Sequence, residues 1–309
     1  MGLFRGARRG PRIGGDSIRE HLAETLGVAE AFPFEYHGIQ VLAFAVDTPF
    51  PHLLYCTFGL SQVQSSQKVA GTQTELTMRV PDAALPPTWP AEHLARMAAR
   101  TRRTGNDIAP GHYMTMRSAY VPAYVFVTDP VLGVVDGPTG LVRFTYAVGL
   151  VGDDFERMLQ WDPVRFAGAV GEVAPLGVTD PGREPVSAHD SVRRRVEDAV
   201  GAEGSSISAM LADTLVVEAG GVRLDGEAAR DILRAARHRL LHGRTFALVS
   251  AEQWLLLDPG ANATEFGEGH VIVPAGPDVA HELLAVFDEL PGEYVLTTTP
   301  LVITVVEPD

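Results

Sequence analysis

Leu53-Leu54-Tyr55-Cys56-Thr57-Phe58-Gly59-Leu60 is the stretch on which the fold turns. It is short, apolar and rich in residues that suit a pleated, buried surface, and it is punctuated by glycine. That pattern predicts a buried strand over 53–60. Upstream, Ile39-Gln40-Val41-Leu42-Ala43-Phe44-Ala45-Val46 has the same character and predicts a second buried strand. Downstream, residues 73–80 (Gln-Thr-Glu-Leu-Thr-Met-Arg-Val) alternate polar and apolar side chains, as a half-exposed strand does.

Helices frame these strands. Asp16-Ser17 followed by Glu20 has the form of a capping box and predicts a helix running to Leu26, stopped by Gly27. Thr88 can cap, and Pro90 suits the first turn of a helix over 90–103. Strands are predicted at 112–116, 122–127 and 141–151, then helices at 153–160 and 163–170, a loop at 174–188 and a helix at 189–200 ending in Gly201. The small polar stretch Gly204-Ser205-Ser206 marks a domain boundary. Beyond it come strands at 207–217 and 221–224, a helix at 226–241 and strands at 245–250, 253–257 and 269–273. A helix at 277–289 and strands at 293–297 and 301–306 complete the chain. The expected class is α+β, divided into a basic tail and N-terminal helix (1–27), a first domain (28–205) and a second (206–309).

Composition narrows the function. The 309 residues are 46% hydrophobic and 21% charged, a globular balance. No apolar run reaches the roughly 18 residues that a membrane span needs. The segment Met1 to Arg12 carries Arg5, Arg8, Arg9 and Arg12 without an apolar stretch behind them, which predicts a mobile basic tail, not a secretory signal. The single cysteine excludes an internal disulfide and fits a reducing, cytoplasmic compartment. A net charge of −14 repels phosphate backbones, which argues against nucleic acid, and it speeds encounter with a basic protein.

Residues capable of chemistry form no convincing constellation. Cys56 lies in an apolar strand, where a thiol is inert packing. His238 and His242 stand four apart on the predicted helix, a metal-ligand spacing, but Arg239-Leu240-Leu241 between them lacks the glutamate of a zincin, and no third ligand announces itself. A role for His242 at the helix end is the competing reading. Gly267-Glu268-Gly269 lacks the third glycine of a dinucleotide fingerprint, and Asp153-Asp154 suits a helix start. Catalysis, a metal and a cofactor are therefore not expected.

Three motifs follow one another in the first half: Tyr55-Cys56-Thr57-Phe58-Gly59-Leu60-Ser61, Glu75-Leu76-Thr77-Met78-Arg79-Val80, and Pro86-Pro87-Thr88-Trp89-Pro90-Ala91-Glu92 with Leu94-Ala95-Arg96 behind it. In the second half stands Arg239-Leu240-Leu241-His242-Gly243-Arg244-Thr245-Phe246. Together they resemble the suppressor of fused family over residues 36–309. The resemblance implies two mixed α/β domains with a cleft between them that clamps a partner peptide, which adds as a β-strand. In the animal members that partner is a transcription factor of the Hedgehog pathway. Carried onto this chain, the ligand strand lies beside 112–116. The implied cleft is lined by Arg100, His112, Tyr113, Met114, Thr128 and Asp129 from the first domain and by Met210 and Asp231 from the second.

Arg100, His112 and Thr128 stand where the animal members use an aromatic and two acids, which reverses the local charge. The long disordered insert of those members is absent. High Ala, Gly, Val and Arg usage points to a bacterial chain, and bacterial relatives are thought to be immunity proteins that neutralise toxins passed between competing cells. The resemblance thus implies direct binding of a toxin domain. The alternative is a regulatory module that sequesters a transcription factor or signalling protein by strand addition in the cleft. Either way the expected partner is a protein, with no nucleic acid and no membrane.

Overall fold

The computed structural model describes residues 12–28, 30–64, 73–118 and 120–307. The predicted basic tail, apart from Arg12, lies outside them. The chain divides into two compact units: one runs to Phe155 and resumes over Pro163–Val192, and the other comprises Glu156–Asp162 and everything from Arg193 onward. The division falls earlier than the expected 205/206. The reason is visible at Gly204-Ser205-Ser206, which is a tied segment of the second unit. The Ser205 N–H donates to the His238 carbonyl (2.6 Å), the Ser205 hydroxyl to the Leu159 carbonyl (2.8 Å) and the Ser206 N–H to the Trp161 carbonyl (2.8 Å).

The first unit contains β1 (Arg12–Ile13), α1 (Gly15–Leu26), β2 (Phe32–Tyr36), β3 (Ile39–Val46), β4 (His52–Phe58), β5 (Val63–Gln64), β6 (Gln73–Pro81), α2 (Trp89–Thr104), β7 (Tyr113–Thr115), β8 (Ala123–Thr128), β9 (Val134–Gly137) and β10 (Gly140–Leu150). After these come α3 (Asp154–Leu159), α4 (Pro163–Val173) and α5 (Asp190–Glu203); the unit division falls within α3 and α5. An eight-stranded sheet runs in the order β2-β3-β4-β6-β10-β8-β7, with β9 also paired to β10. Only β6 and β10 run parallel, and the chain between them supplies the long crossover that parallel neighbours require. Both faces of the sheet are covered. Helix α2 buries Ala91, Leu94, Ala95 and Ala98, spaced i, i+3, i+4 and i+7, in one core with Val41, Tyr55, Leu76, Met78, Tyr124 and Phe126. Helix α1 places Ile18 and Leu22 in another core with Phe44, Leu54, Cys56 and Phe144.

Two local expectations are corrected. Helix α1 starts at a left-handed Gly14 (φ 98°) without a side-chain cap, and the Ser17 hydroxyl turns back to the Gly14 carbonyl (3.1 Å), so the capping box does not form. Strand β6 is not half-exposed: Glu75, Thr77 and Arg79 are as buried as the apolar residues between them. Each finds polar partners from elsewhere in the unit, so its alternation separates two buried faces.

In the second unit the chain forms β11 (Ala209–Leu211), β12 (Leu215–Glu218), β13 (Gly221–Asp225), α6 (Gly226–His238), β14 (Phe246–Val249), β15 (Trp254–Asp258), β16 (Glu265–Gly267), β17 (His270–Pro274), α7 (Pro277–Val286), β18 (Gly292–Leu296) and β19 (Leu301–Val306). A five-stranded sheet has the order β11-β14-β15-β17-β16, and a four-stranded one the order β12-β13-β19-β18. The stretch 207–217 therefore supplies two strands to two different sheets. Asp225 helps to fix the break: its carboxylate accepts from the Thr214 N–H (2.9 Å) and, as N-cap of α6, from the Ala228 N–H (2.9 Å). Helix α6 stops at His238 and a 3-10 turn (Leu240–His242) follows, so His238 and His242 do not share one continuous α-helical face. Among the described residues no helix is long and apolar enough to cross a membrane, and no three His, Cys, Asp or Glu side chains are grouped to hold a metal ion.

Candidate functional site

The sequence motifs of the first half hold the fold. Glu75 sits under the turn that ends β4. Its Oε1 accepts from the Gly59 N–H (3.0 Å), the Ser61 N–H (2.9 Å) and the Ser61 hydroxyl (2.6 Å), and its Oε2 accepts from the Thr57 hydroxyl (2.5 Å). Burial pushes the Glu75 carboxyl up, against the pull of these donors. Four residues further along the strand, on the same face, the Arg79 guanidinium grips Asp129 with both terminal nitrogens (3.0 and 2.8 Å) and lies over the Tyr146 ring, 4.8 Å from its centroid. The Asp129 carboxylate also accepts from the Thr77 hydroxyl (2.7 Å) and from the N–H groups of Val131 (2.9 Å) and Leu132 (3.0 Å). Burial disfavours its charge, but Arg79 and the other donors prevail and hold the carboxyl below the usual carboxylate range.

Asp129, expected to line the partner site, is thus enclosed (1% exposed) and fully engaged within the fold. Thr128 beside it is exposed at the end of β8. Cys56 is completely buried, and desolvation raises its thiol well above the ordinary value, as befits packing.

The open chemistry of this unit lies along α2. Arg96, Arg100 and Arg103 recur at i, i+4 and i+7 on its surface. They line a groove of about 330 Å³. Across the groove stand Met114 and Thr115 of β7, with Met116 and Arg117 just beyond the strand. Met97 of α2 contributes at the groove's base, and His37 contributes from the β2–β3 hairpin. That hairpin is a two-residue turn, with His37 and Gly38 both at positive φ (53° and 68°), the geometry that matches strand twist. Arg102 steadies it, donating to the carbonyls of Gly38 (3.3 Å) and Gly59 (2.6 Å). Arg96 pairs with Glu92 (2.7 Å). Arg100, Arg103 and Arg117 form no ion pair among the described residues.

Strand β7 ends its sheet. It pairs with β8 through Tyr113↔Val125, Met114↔Tyr124 and Thr115↔Ala123, and no described strand lies on its other side. His112 leads into it, its carbonyl accepting from the Phe126 N–H (2.9 Å), and the Tyr113 ring meets Phe155 edge-on at 5.8 Å. Of the residues expected in the first half of the site, Arg100 and Met114 line this groove, and His112 and Tyr113 lie at the start of its strand. Thr128 and Asp129 are absent from the groove lining. Arg96, Arg103, Met116 and Arg117 were not expected. The i, i+4, i+7 spacing of the arginines was a visible signal for the first two.

In the second unit Met210 and Asp231 line one narrow hollow with Ile207 and Phe246. Met210 lies on β11, the end strand of the five-stranded sheet, and the next residue, Leu211, is 82% exposed. Asp231 is buried on α6 and pairs with Arg234, which also holds Glu156 (2.9 Å). Burial raises the Asp231 carboxyl and Arg234 draws it back. Near the hollow, Arg239 donates to the carbonyls of Ser205 (2.6 Å) and Thr245 (2.7 Å), and Arg244 donates to Ser205 (3.1 Å). A Cβ on Gly204 (φ 67°) would come within 2.3 Å of the His238 carbonyl. The Arg239–Phe246 motif therefore clasps the segment that precedes β11.

Two α+β units, each with a short end strand beside side chains that take no part in its sheet, make this a mixed-sheet protein with strand edges on offer. Residues 35–184 match the family described as Suppressor of fused protein (SUFU). That stretch, just under half of the chain, is thus a domain of the suppressor of fused type. The chain is 25% identical over 217 residues to the Suppressor of fused homologs of Homo sapiens and Mus musculus, a match that covers 62% of this chain and only 45% of each relative's length. The crystal structure of Drosophila Suppressor of Fused superposes with a TM-score of 0.74 at 17% identity, covering 97% of this chain and 98% of that one. The fold likeness thus extends across both units. A chain from the Sufu–Fu complex crystal structure aligns with a TM-score of 0.52 at 19% identity, covering 60% of this chain and 98% of its own.

Proposed function

We propose that this chain works by binding another protein, without catalysis, and that it takes an extended segment of that partner as an added strand on β7. The observation that carries the reading is the end position of β7 beside the Met114–Arg117 groove. Backbone bonds along such an edge supply affinity, and adjoining pockets select side chains. The Sufu–Fu complex among the similar structures supports a protein partner. The expected result is that partner binding slows amide exchange over residues 113–116; protection confined to other segments would sink strand addition at β7.

At a finer level, we propose an immunity protein that neutralises a bacterial toxin by direct binding. The net charge of −14 supports it, since an acidic body attracts a basic toxin domain. The alternative, a regulatory module that sequesters a transcription factor or signalling protein, is favoured by a groove of a size suited to a linear segment. Capture of the tagged chain from its native lysate separates the two. One basic toxin domain at stoichiometric yield supports immunity. A transcription factor or signalling protein held through a short segment supports regulation.

A further inference from the structure

We infer that the α2–β7 groove selects an acidic segment of the partner, one with carboxylates at alternate positions; this rests on the strand-addition reading above. The chain as a whole is acidic, yet this groove gathers four guanidiniums, Arg96, Arg100, Arg103 and Arg117, with Glu92 paired to Arg96. The other charged or titratable group facing it is His37. Three of the arginines are left without an ion pair among the described residues, so the groove lacks its own counter-charge.

Geometry matches the charge. Along a helix that rises about 1.5 Å per residue, Arg96 and Arg100 are spaced about 6 Å apart, and Arg100 and Arg103 about 4.5 Å. Alternate side chains of an extended segment lie about 6.6 Å apart on one face. A strand added to β7 and running along α2 would present every second residue to the arginine row, the long side chains taking up the difference in spacing. Met97, Met114 and Met116 line the same groove and accommodate the methylene stems of glutamates, thioethers being adaptable packing partners. Arg102, tied to the Gly38 and Gly59 carbonyls, fixes the hairpin wall, so the site is formed before any ligand arrives. Arginine suits the role because its planar fork matches a carboxylate.

The test uses the full chain and three probes: a fluorescein-labelled peptide of alternating glutamate and threonine, its lysine–threonine counterpart, and a DNA duplex. The glutamate peptide should bind at least about tenfold more tightly than the lysine peptide, and its binding should weaken as salt rises. The double reversal R100E/R103E, with its unfolding midpoint retained, should abolish that preference or invert it. Equal binding of the two peptides, or a preference unchanged by R100E/R103E, would overturn the inference. Binding of the duplex as tightly as the glutamate peptide would also overturn it, because the groove would then be a general anion site. The two readings fail separately. If R100E/R103E still captures the native partner with 113–116 protected, acidic selection falls and strand addition stands. If the glutamate peptide binds with the charge-dependent pattern and those amides stay unprotected, strand addition falls and acidic selection stands.

Discussion

The first unit uses charge in two opposite ways. On β6, Glu75 and Arg79 are fully enclosed and every carboxylate oxygen they involve has donors, with Asp129 brought to Arg79 from the end of β8. Along the α2–β7 groove, Arg100, Arg103 and Arg117 stand at the surface without carboxylates. Enclosed charges are tolerable only when their partners are permanent, so they specify the fold. Exposed ones cost little to leave unpaired and stay available to another molecule.

The sharpest way to break this contrast is Asp129→Ala. It strands the Arg79 guanidinium in the interior and leaves the Val131 and Leu132 N–H groups without their acceptor. A loss of about 3–5 kcal/mol in urea unfolding is expected. The double variant R79M/D129A should be less destabilised than D129A alone, because the stranded charge is gone. If the two variants unfold alike, the pair is not coupled and the account of β6 fails.

A second, smaller effect comes from pH. His93 on α2 is enclosed, its Nδ1 facing the Tyr124 hydroxyl (2.6 Å) and its Nε2 the Ser118 hydroxyl (3.0 Å), and burial together with Arg96 lowers its pKa to about 4. In the unfolded chain it titrates near 6.5. Because the folded value is depressed, the unfolded state binds the extra proton between those values. Stability from this group is therefore present above pH ~6.5 and is lost as pH falls through ~4, by up to about 3 kcal/mol. An imidazole resonance that titrates near 4 by NMR is the expected sign. His93→Gln should flatten the stability profile between pH ~6.5 and ~4; a profile unchanged by that substitution would remove His93 from the account.

Legibility in the sequence follows the range of the interactions. Strand β3 was predicted over 39–46, and α2 differs from its expected 90–103 by one residue at each end, because periodicity, Pro90 and Gly105 are local signals. Polar alternation on β6 was misread as exposure because Asp129, the partner that makes Arg79 tolerable inside, lies 50 residues away. Strand β2 was missed because Phe32-Pro33 opens an end strand with little buried surface. For the groove, Arg100 and Met114 were singled out through the family resemblance. The arginine spacing was readable, but whether it marks a solvated face or a groove wall depends on His37 and Arg117, which arrive from opposite ends of the sheet.

The smallest effect on stability is expected where the effect on binding is largest. In R100E/R103E two opposing local terms nearly cancel. The Arg100–Arg103 repulsion is only exchanged for an equivalent one between two acids, but an acid at position 100 gains Arg96, four residues before it on the helix, as a partner worth about 0.2–0.5 kcal/mol. Placing acids in the last turns of α2 opposes its dipole by about 0.3–1 kcal/mol. No hydrogen bond from either side chain to the rest of the fold is lost among the described residues. The unfolding midpoint should therefore move by no more than about 0.5 kcal/mol equivalent, within the range of ordinary surface changes. A loss comparable to that of D129A would mean that the groove arginines are structural after all. Charge in the groove would then be doing the same job as charge on β6, and the distinction between the two regions would disappear.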